Sequence, residues 1–315
     1  MQPMFRSGVP LALSFLLFAC SMTACGDDDA DGSDGGGGSG AAGEGGSGAA
    51  GGGGSGASGG GGEGGSGGSG GGNGGSGGVL QLQPGVDWQW QLSDPPIDTS
   101  FDVPVYDIDL FTTEDEEIGA LHAAGRSVIC YFSAGSFEDY RPDSADFPDS
   151  VKGSPLDPPF QDELWIDIRT PEVRAIMQAR IEYAVQRGCD GVEPDNVDGY
   201  TNDNGLGLTA DDQLDFNRFI ATTAHERGLS VGLKNDLEQL ADLVDDFDWA
   251  LNEECFTYDE CDLYADTFIA AGKAVLHAEY VDESELDAVC AVTQPLGLST
   301  LIKHIELDAY RVTCP

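Results

Sequence analysis

The stretch CDGVEPDNVDGY, Cys189–Tyr200, sets Asp190, Glu193, Asp195 and Asp198 among a few aliphatic and small residues. Its start has the composition of a buried strand, where unpaired carboxylates are costly. Two carboxylates that converge on one site can instead divide the cleavage of a glycosidic bond. One, with a raised pKa, protonates the leaving oxygen, and the other attacks the sugar or activates water. Metal binding is the competing use of such acids, but it needs several oxygens at short fixed range, and the four histidines show no ligand spacing. No metal and no cofactor is expected.

The segments that must position these acids alternate between short apolar or β-branched runs and helix-period stretches. VYDIDLF, SVICYFSAG, LWIDIR, CDGVEPD, LSVGLKN, DWALNEEC, KAVLHAEY and LSTLIKH read as eight strands in that order. Pro171 opens a helix closed by Gly188, and Thr209 caps another that stops at Gly228. Shorter helices are expected at Glu114–Ala124, Leu263–Ala271 and Ser284–Val289. Eight strand–helix units predict a parallel α/β sheet closed as a (β/α)8 TIM barrel. An open doubly wound sheet is disfavoured because no Gly-rich phosphate loop follows the first strand.

Alternation along strands puts Asp107 with Asp109, Asp167 with Trp165 and Arg169, Glu193 with Asp195, and Glu279 with His277. Lys234 falls on the Gly232 side of its strand. Polar faces that gather charge toward strand C-terminal ends would meet at the mouth of a barrel, where active sites are built.

Ahead of this domain lie two segments of another kind. Residues 1–25 carry Arg6, the apolar run Leu11–Cys20 and the sequence SMTACGDDD, which resembles a bacterial lipoprotein signal. Cys25 is the preferred acylation site and Cys20 the alternative, so an exported, lipid-anchored cell-surface or outer-membrane protein is expected, or else a secreted one. Residues 26–78 are dominated by Gly, Ser and Ala and are expected to form a flexible tether. Residues 79–315 are long enough for one large domain.

The 315-residue chain has a formal net charge of -42. Seven acids and Arg6 precede Val79, so the last 237 residues keep 49 acids against 13 bases, a balance of -36. Such a surface disfavours nucleic acid as a partner and suits a cationic ligand, a high-salt habitat or simple solubility. Six of the eight cysteines lie in this domain. In an exported chain they predict disulfides, with Cys255–Cys261 and Cys290–Cys314 favoured and Cys130 and Cys189 either bridged or simply buried.

Taken in order, WQWQL (Trp88–Leu92), YDIDLF, CYFSAGSFEDYRPD, WIDIR, GCDGVEPDNVDGY, GLKND, NEEC and HAEY resemble glycoside hydrolase family 114, the endo-α-1,4-polygalactosaminidases. The resemblance runs from about Trp88 to Cys314. It implies a (β/α)8 barrel that cleaves α-1,4-linked, galactosamine-rich exopolysaccharide without a cofactor. By the same resemblance Asp195 is the nucleophile and Glu253 the general acid/base of a retaining mechanism. Alternation in DWALNEEC would set Asn252 and Glu254 inward with Ala250, so Glu254 stands as the alternate. Asp107, Asp109, Tyr131, Glu138, Asp167, Glu193, Lys234, Asn235 and Glu279 are the candidate substrate contacts. Partners are then a cationic galactosamine-rich polysaccharide and, through the anchor, a membrane, with the protein expected as a monomer. A non-catalytic lectin-like barrel and a polysaccharide deacetylase are the alternatives, the latter weakened by the lack of a His-rich metal motif.

Overall fold

The computed structural model describes residues 79–315. The signal segment with Cys20 and Cys25, and the tether up to residue 78, lie outside the described residues. The chain enters with β1 (Trp88–Gln91), β2 (Val105–Asp109), α1 (Asp115–Ala123) and β3 (Ser127–Ser133). An insertion follows, with β4 (Ser136–Phe137), β5 (Lys152–Pro155) and β6 (Leu164–Ile166), and leads into α2 (Pro171–Arg187). Then come β7 (Gly191–Asp195), α3 (Ala210–Glu226), β8 (Ser230–Lys234), α4 (Leu240–Leu243) and β9 (Trp249–Glu253). Two single-turn helices, α5 (Cys255–Tyr258) and α6 (Cys261–Tyr264), precede β10 (Val275–Glu279), α7 (Leu286–Leu296), β11 (Ser299–Ile302) and β12 (Val312–Thr313).

Helix boundaries follow their local chemistry. The Thr170 hydroxyl accepts from Val173 N at the start of α2, Pro171 fills the first turn, and Gly188 ends it at φ 85°. Thr209 and Asp212 form a reciprocal capping box on α3.

Eight strands lie parallel in one curled sheet, in the order β1-β2-β3-β7-β8-β9-β10-β11, with β12 antiparallel on the last. This is a TIM-barrel-like α/β fold. No ladder among the described residues joins β1 to β11. Side chains bridge that seam instead: Trp88 Nε1 donates to the Ser299 carbonyl at 2.8 Å, and Gln89 Nε2 to that of Ala309 at 2.9 Å.

The expected number of strands is present, but one member differs. Leu164–Ile166 is not a barrel strand; it pairs antiparallel with β4 and β5 in a separate three-stranded sheet. WQWQ takes the vacant place at the edge, pairing with β2. Its glutamines mask it as a strand because they serve the loops. Gln91 donates to the carbonyls of Ser93 and Asp94 and accepts from Asp98 N, holding the β1–β2 connection without a helix.

Two apolar layers sandwich the sheet. Tyr106, Ile108, Val128, Cys130, Phe132, Val192, Val231 and Leu233 pack outward against the helices. Trp88, Trp90, Val105, Ile129, Trp249, Leu251, Leu276 and Leu301 fill the lumen. Disulfides join Cys130 to Cys189, Cys255 to Cys261 and Cys290 to Cys314. The first fastens β3 to the entrance of β7, across 59 residues of chain.

Candidate active site

Above the packed lumen, at the C-terminal strand ends, opens a cavity of about 520 Å³. Lys234, at the end of β8, stands at its centre. Its Nζ lies 2.9 Å from Glu193 Oε1, 3.1 Å from Asp195 Oδ1 and 3.3 Å from Glu253 Oε2. Three strands thus converge on one ammonium, because each ends with a charged residue at an inward position. Burial works against the charge on Lys234, but the carboxylates of Asp195, Glu193 and Glu253 outweigh it and hold the lysine well above its usual range.

The three acids differ in access. The Glu193 side chain is 0% exposed, whereas those of Asp195 and Glu253 are 19% and 25% exposed to the cavity. Glu193 is therefore floor, and the other two are the groups that a ligand meets. Trp90 donates its indole N–H to Glu193 Oε2 at 3.1 Å and offers its ring face to Lys234 at 4.9 Å. Burial pushes Glu193 up to about 7, against the pull of Lys234. Beneath it Asp107 is fully buried, and neither of its oxygens meets a hydrogen-bond donor among the described residues. Burial, and then the charge of Glu193, raise Asp107 far above the carboxylate range. Both effects favour the neutral carboxyl of Asp107, the form that can act as a donor toward Glu193.

Each accessible acid has a tyrosine of its own. Tyr131 donates to Asp195 Oδ2 at 3.0 Å, and Tyr280 donates to Glu253 Oε1. Burial raises both phenols, reinforced by the neighbouring carboxylate, so each stays a donor. Asn196 N donates to Asp195 Oδ1 at 2.8 Å, and Asn235 Nδ2 to Glu253 Oε2 at 3.3 Å. The residues just past these strands adopt left-handed backbone: Asn196 at φ 59°, Asn235 at 48°, Asp236 at 51° and Glu254 at 65°. Strained non-glycine positions of this kind cluster at functional sites.

Asp109 and Glu138 also line the cavity, both tied to Arg141 at 2.7 Å. Two sequence candidates lie elsewhere. Asp167 follows β6 outside the barrel and pairs with Arg169 at 2.7 Å, away from the cavity. Glu279 faces outward, where it accepts from Phe256 N, Thr257 Oγ1 and His277. The expectation fails there because the polar side of β10 faces the helices, while Leu276 and Ala278 fill the lumen. The same inversion corrects β9. Trp249 and Leu251 point inward, so plain alternation carries Glu253 into the cavity and leaves Glu254 outside its lining. Tyr280, Glu163 and Arg141 belong to the site without having been singled out for it. Only Tyr280 had a readable signal, two positions after Ala278 at the end of its strand.

Among the described residues, Cys255, Cys261 and His277 alone have the spacing of a metal site, and their two sulfurs are joined in a disulfide.

Comparison with known proteins agrees with this geometry. The model of glycoside-hydrolase family GH114 matches residues 76–315. The crystal structure of Aspergillus fumigatus Ega3 in complex with galactosamine is 43% identical, with a TM-score of 0.72, covering 75% of this chain and 98% of that one. The glycoside hydrolase domain of PelA from Pseudomonas aeruginosa is 17% identical, with a TM-score of 0.58, covering 74% and 99%, and shares the fold. Among curated proteins no relative matches. A match across the whole described domain, joined to a barrel mouth that exposes a pair of carboxylates, makes this chain a glycosidase of glycoside-hydrolase family GH114.

Proposed function

We infer that the protein is an endo-acting hydrolase of α-1,4-linked, galactosamine-containing polysaccharide, and that Asp195 and Glu253 carry the reaction. The observation behind this reading is the pair of accessible carboxylates that share Lys234 at 3.1 and 3.3 Å. The two oxygens on one ammonium lie closer than the roughly 6.5–9.5 Å of inverting pairs and suit the about 5–5.5 Å of retaining ones.

In the first step Asp195 Oδ forms a bond to the anomeric carbon while the glycosidic C–O bond breaks. Glu253 gives its proton to the departing oxygen. Having given up its proton, Glu253 is left as the carboxylate that serves as base in the second step. It then takes a proton from water, whose oxygen attacks the anomeric carbon and releases Asp195 as carboxylate. Tyr131 and Asn196 hold Asp195, and Tyr280 and Asn235 hold Glu253, so neither must reorganise during the reaction. Free amines on the polymer are cationic, and the acidic domain would steer them to the cleft, an attraction that salt screens.

The resemblance of residues 1–25 to a lipoprotein signal supports an activity outside the cytoplasm, with Cys25 as the anchoring residue. Among the described residues no helix is long and apolar enough to cross a membrane.

Mass spectrometry of products from a defined galactosamine oligomer, treated with the full chain, tests the reading. Asp195→Asn and Glu253→Gln should each lower kcat by about a thousandfold or more with the fold intact. Full activity in both variants would overturn the site. An α-anomer as first product, seen by NMR, is expected for retention; a β-anomer would remove Asp195 from the nucleophile's role.

A further inference from the structure

One wall of the cavity is built by the insertion rather than by the barrel. The β5–β6 hairpin lines it with Leu156, Asp157, Phe160 and Glu163, and Tyr140 stands beside them. Two of these are large aromatics that the fold leaves in solvent: Tyr140 is 65% exposed and Phe160 48%. Tyr140 is nonetheless held in place, since its hydroxyl donates to Glu138 Oε1 at 2.7 Å and its ring lies 5.1 Å from the Arg141 guanidinium. An exposed ring fixed by its own hydroxyl is a preorganised platform for the apolar face of a sugar.

The charges on this wall are unbalanced. Arg141 is taken by Asp109 and Glu138, and Lys234 by the three carboxylates of the centre. Glu163 lines the same cavity with one hydroxyl donor, Ser136 Oγ at 2.5 Å, and no lysine or arginine of the described residues forms an ion pair with it. Beside it Glu138 is 1% exposed and already paired, its Oε1 with Arg141 at 2.7 Å and its Oε2 with Arg180 Nη1 at 3.8 Å. Burial, with the charges of Glu138 and Asp195, pushes Glu163 up to about 7 despite the Ser136 hydrogen bond. A cation seated here would meet in Glu163 a carboxylate that no lysine or arginine of the described residues neutralises.

We propose that the β5–β6 hairpin and Tyr140 form a second saccharide subsite, in which Glu163 binds the ammonium of a galactosamine unit while Tyr140 and Phe160 pack against its ring. The assignment rests on the reading of the polymer as galactosamine-containing and extends it: Glu163 selects free amine over N-acetyl. An acetylated nitrogen carries no charge, so it would stack equally well on the aromatic pair but gain nothing from the carboxylate.

The test uses the full-length chain with Asp195→Asn, so that turnover does not consume ligand. Calorimetry compares a fully deacetylated galactosamine oligomer with its N-acetylated counterpart. Adding Glu163→Gln, which preserves an acceptor for Ser136, should weaken the free-amine oligomer about fivefold and leave the acetylated one unchanged. Adding Phe160→Ala at its exposed position should weaken both alike. A Glu163→Gln effect that is equal on the two oligomers, or absent from both, overturns the proposal, as does a parent chain that binds neither. Cleavage by the wild-type chain is scored separately. A chain that discriminates amines through Glu163 but cuts nothing would sink the catalytic reading while the subsite stands.

Discussion

Around Glu193 the protein packs the ammonium of Lys234, the indole N–H of Trp90 and the buried carboxyl of Asp107, and these three neighbours are not equivalent. Lys234 neutralises three acids from two strands, so removing it leaves several buried or half-buried negative charges unpaired at once. Burial favours the neutral form of Asp107, so exchanging it for a neutral isostere should change little. Lys234→Met is therefore expected to cost about 3–5 kcal/mol of stability and to abolish cleavage. Asp107→Asn, whose amide can donate to Glu193 as the carboxyl does, should cost less than about 1 kcal/mol. Urea denaturation of the two variants checks the ordering. A Lys234→Met chain as stable as the parent would mean that the carboxylates relieve their repulsion by taking up protons.

At the scale of elements, the site depends on how closely the β3–β4 connection approaches the end of β7. Ala134 N and Gly135 N both donate to the Asp195 carbonyl, at 2.8 and 3.2 Å, and Asn196 Nδ2 donates to Ser133 Oγ at 2.9 Å. A Cβ on Gly135 would collide with the backbone carbonyl of Asn196, which is main chain and cannot swing aside. Gly135→Ala should thus push the two connections apart, with a loss of about 2–3 kcal/mol and a fall in kcat larger than the change in KM. Thermal melts together with steady-state kinetics would show both. An unchanged kcat would mean that Asp195 keeps its position independently of this crossing. Cys130–Cys189, with a separation of 59 residues, ties the same two strands at the other end of β7, its entrance.

For the whole molecule the dominant fact is acid without counter-charge. Burial raises Glu163 and Glu193 to about 7, Asp198 to about 6 and Asp236 to about 8 in the folded state. Unfolded, such groups titrate near 4. Between these values the native state holds more protons than the unfolded one, so this stabilisation is complete below about 4 and is lost as pH rises toward 6–8. Self-repulsion of the domain's -36 charge grows in the same direction. Lys303, lowered to about 7 by burial, has the opposite sign, but its term acts only above that pH. The melting temperature should accordingly be higher at pH 5 than at pH 7.5, by roughly 5 °C or more. Scanning calorimetry across that interval tests it. A Tm that rises with pH there would show that these acids are ionised in the fold.

The chain's own periodicities determined seven of the eight barrel strands, the starts of α2 and α3, and which acids share a face, Asp107 with Asp109 and Glu193 with Asp195. Those are local facts: alternation and caps are set by residues a few positions apart. Tertiary structure decided the rest. Alternation divides a strand into two faces without saying which face meets the lumen, and in β9 and β10 the apolar residues fill it. That reverses Glu279 and brings in Glu253. Which strands share the sheet depends on hydrogen bonds between distant segments, so LWIDIR left the barrel and WQWQ entered it. Glu163 came to the cavity on an antiparallel hairpin inserted between β3 and β7, and nothing in its own neighbourhood announces where that hairpin folds back.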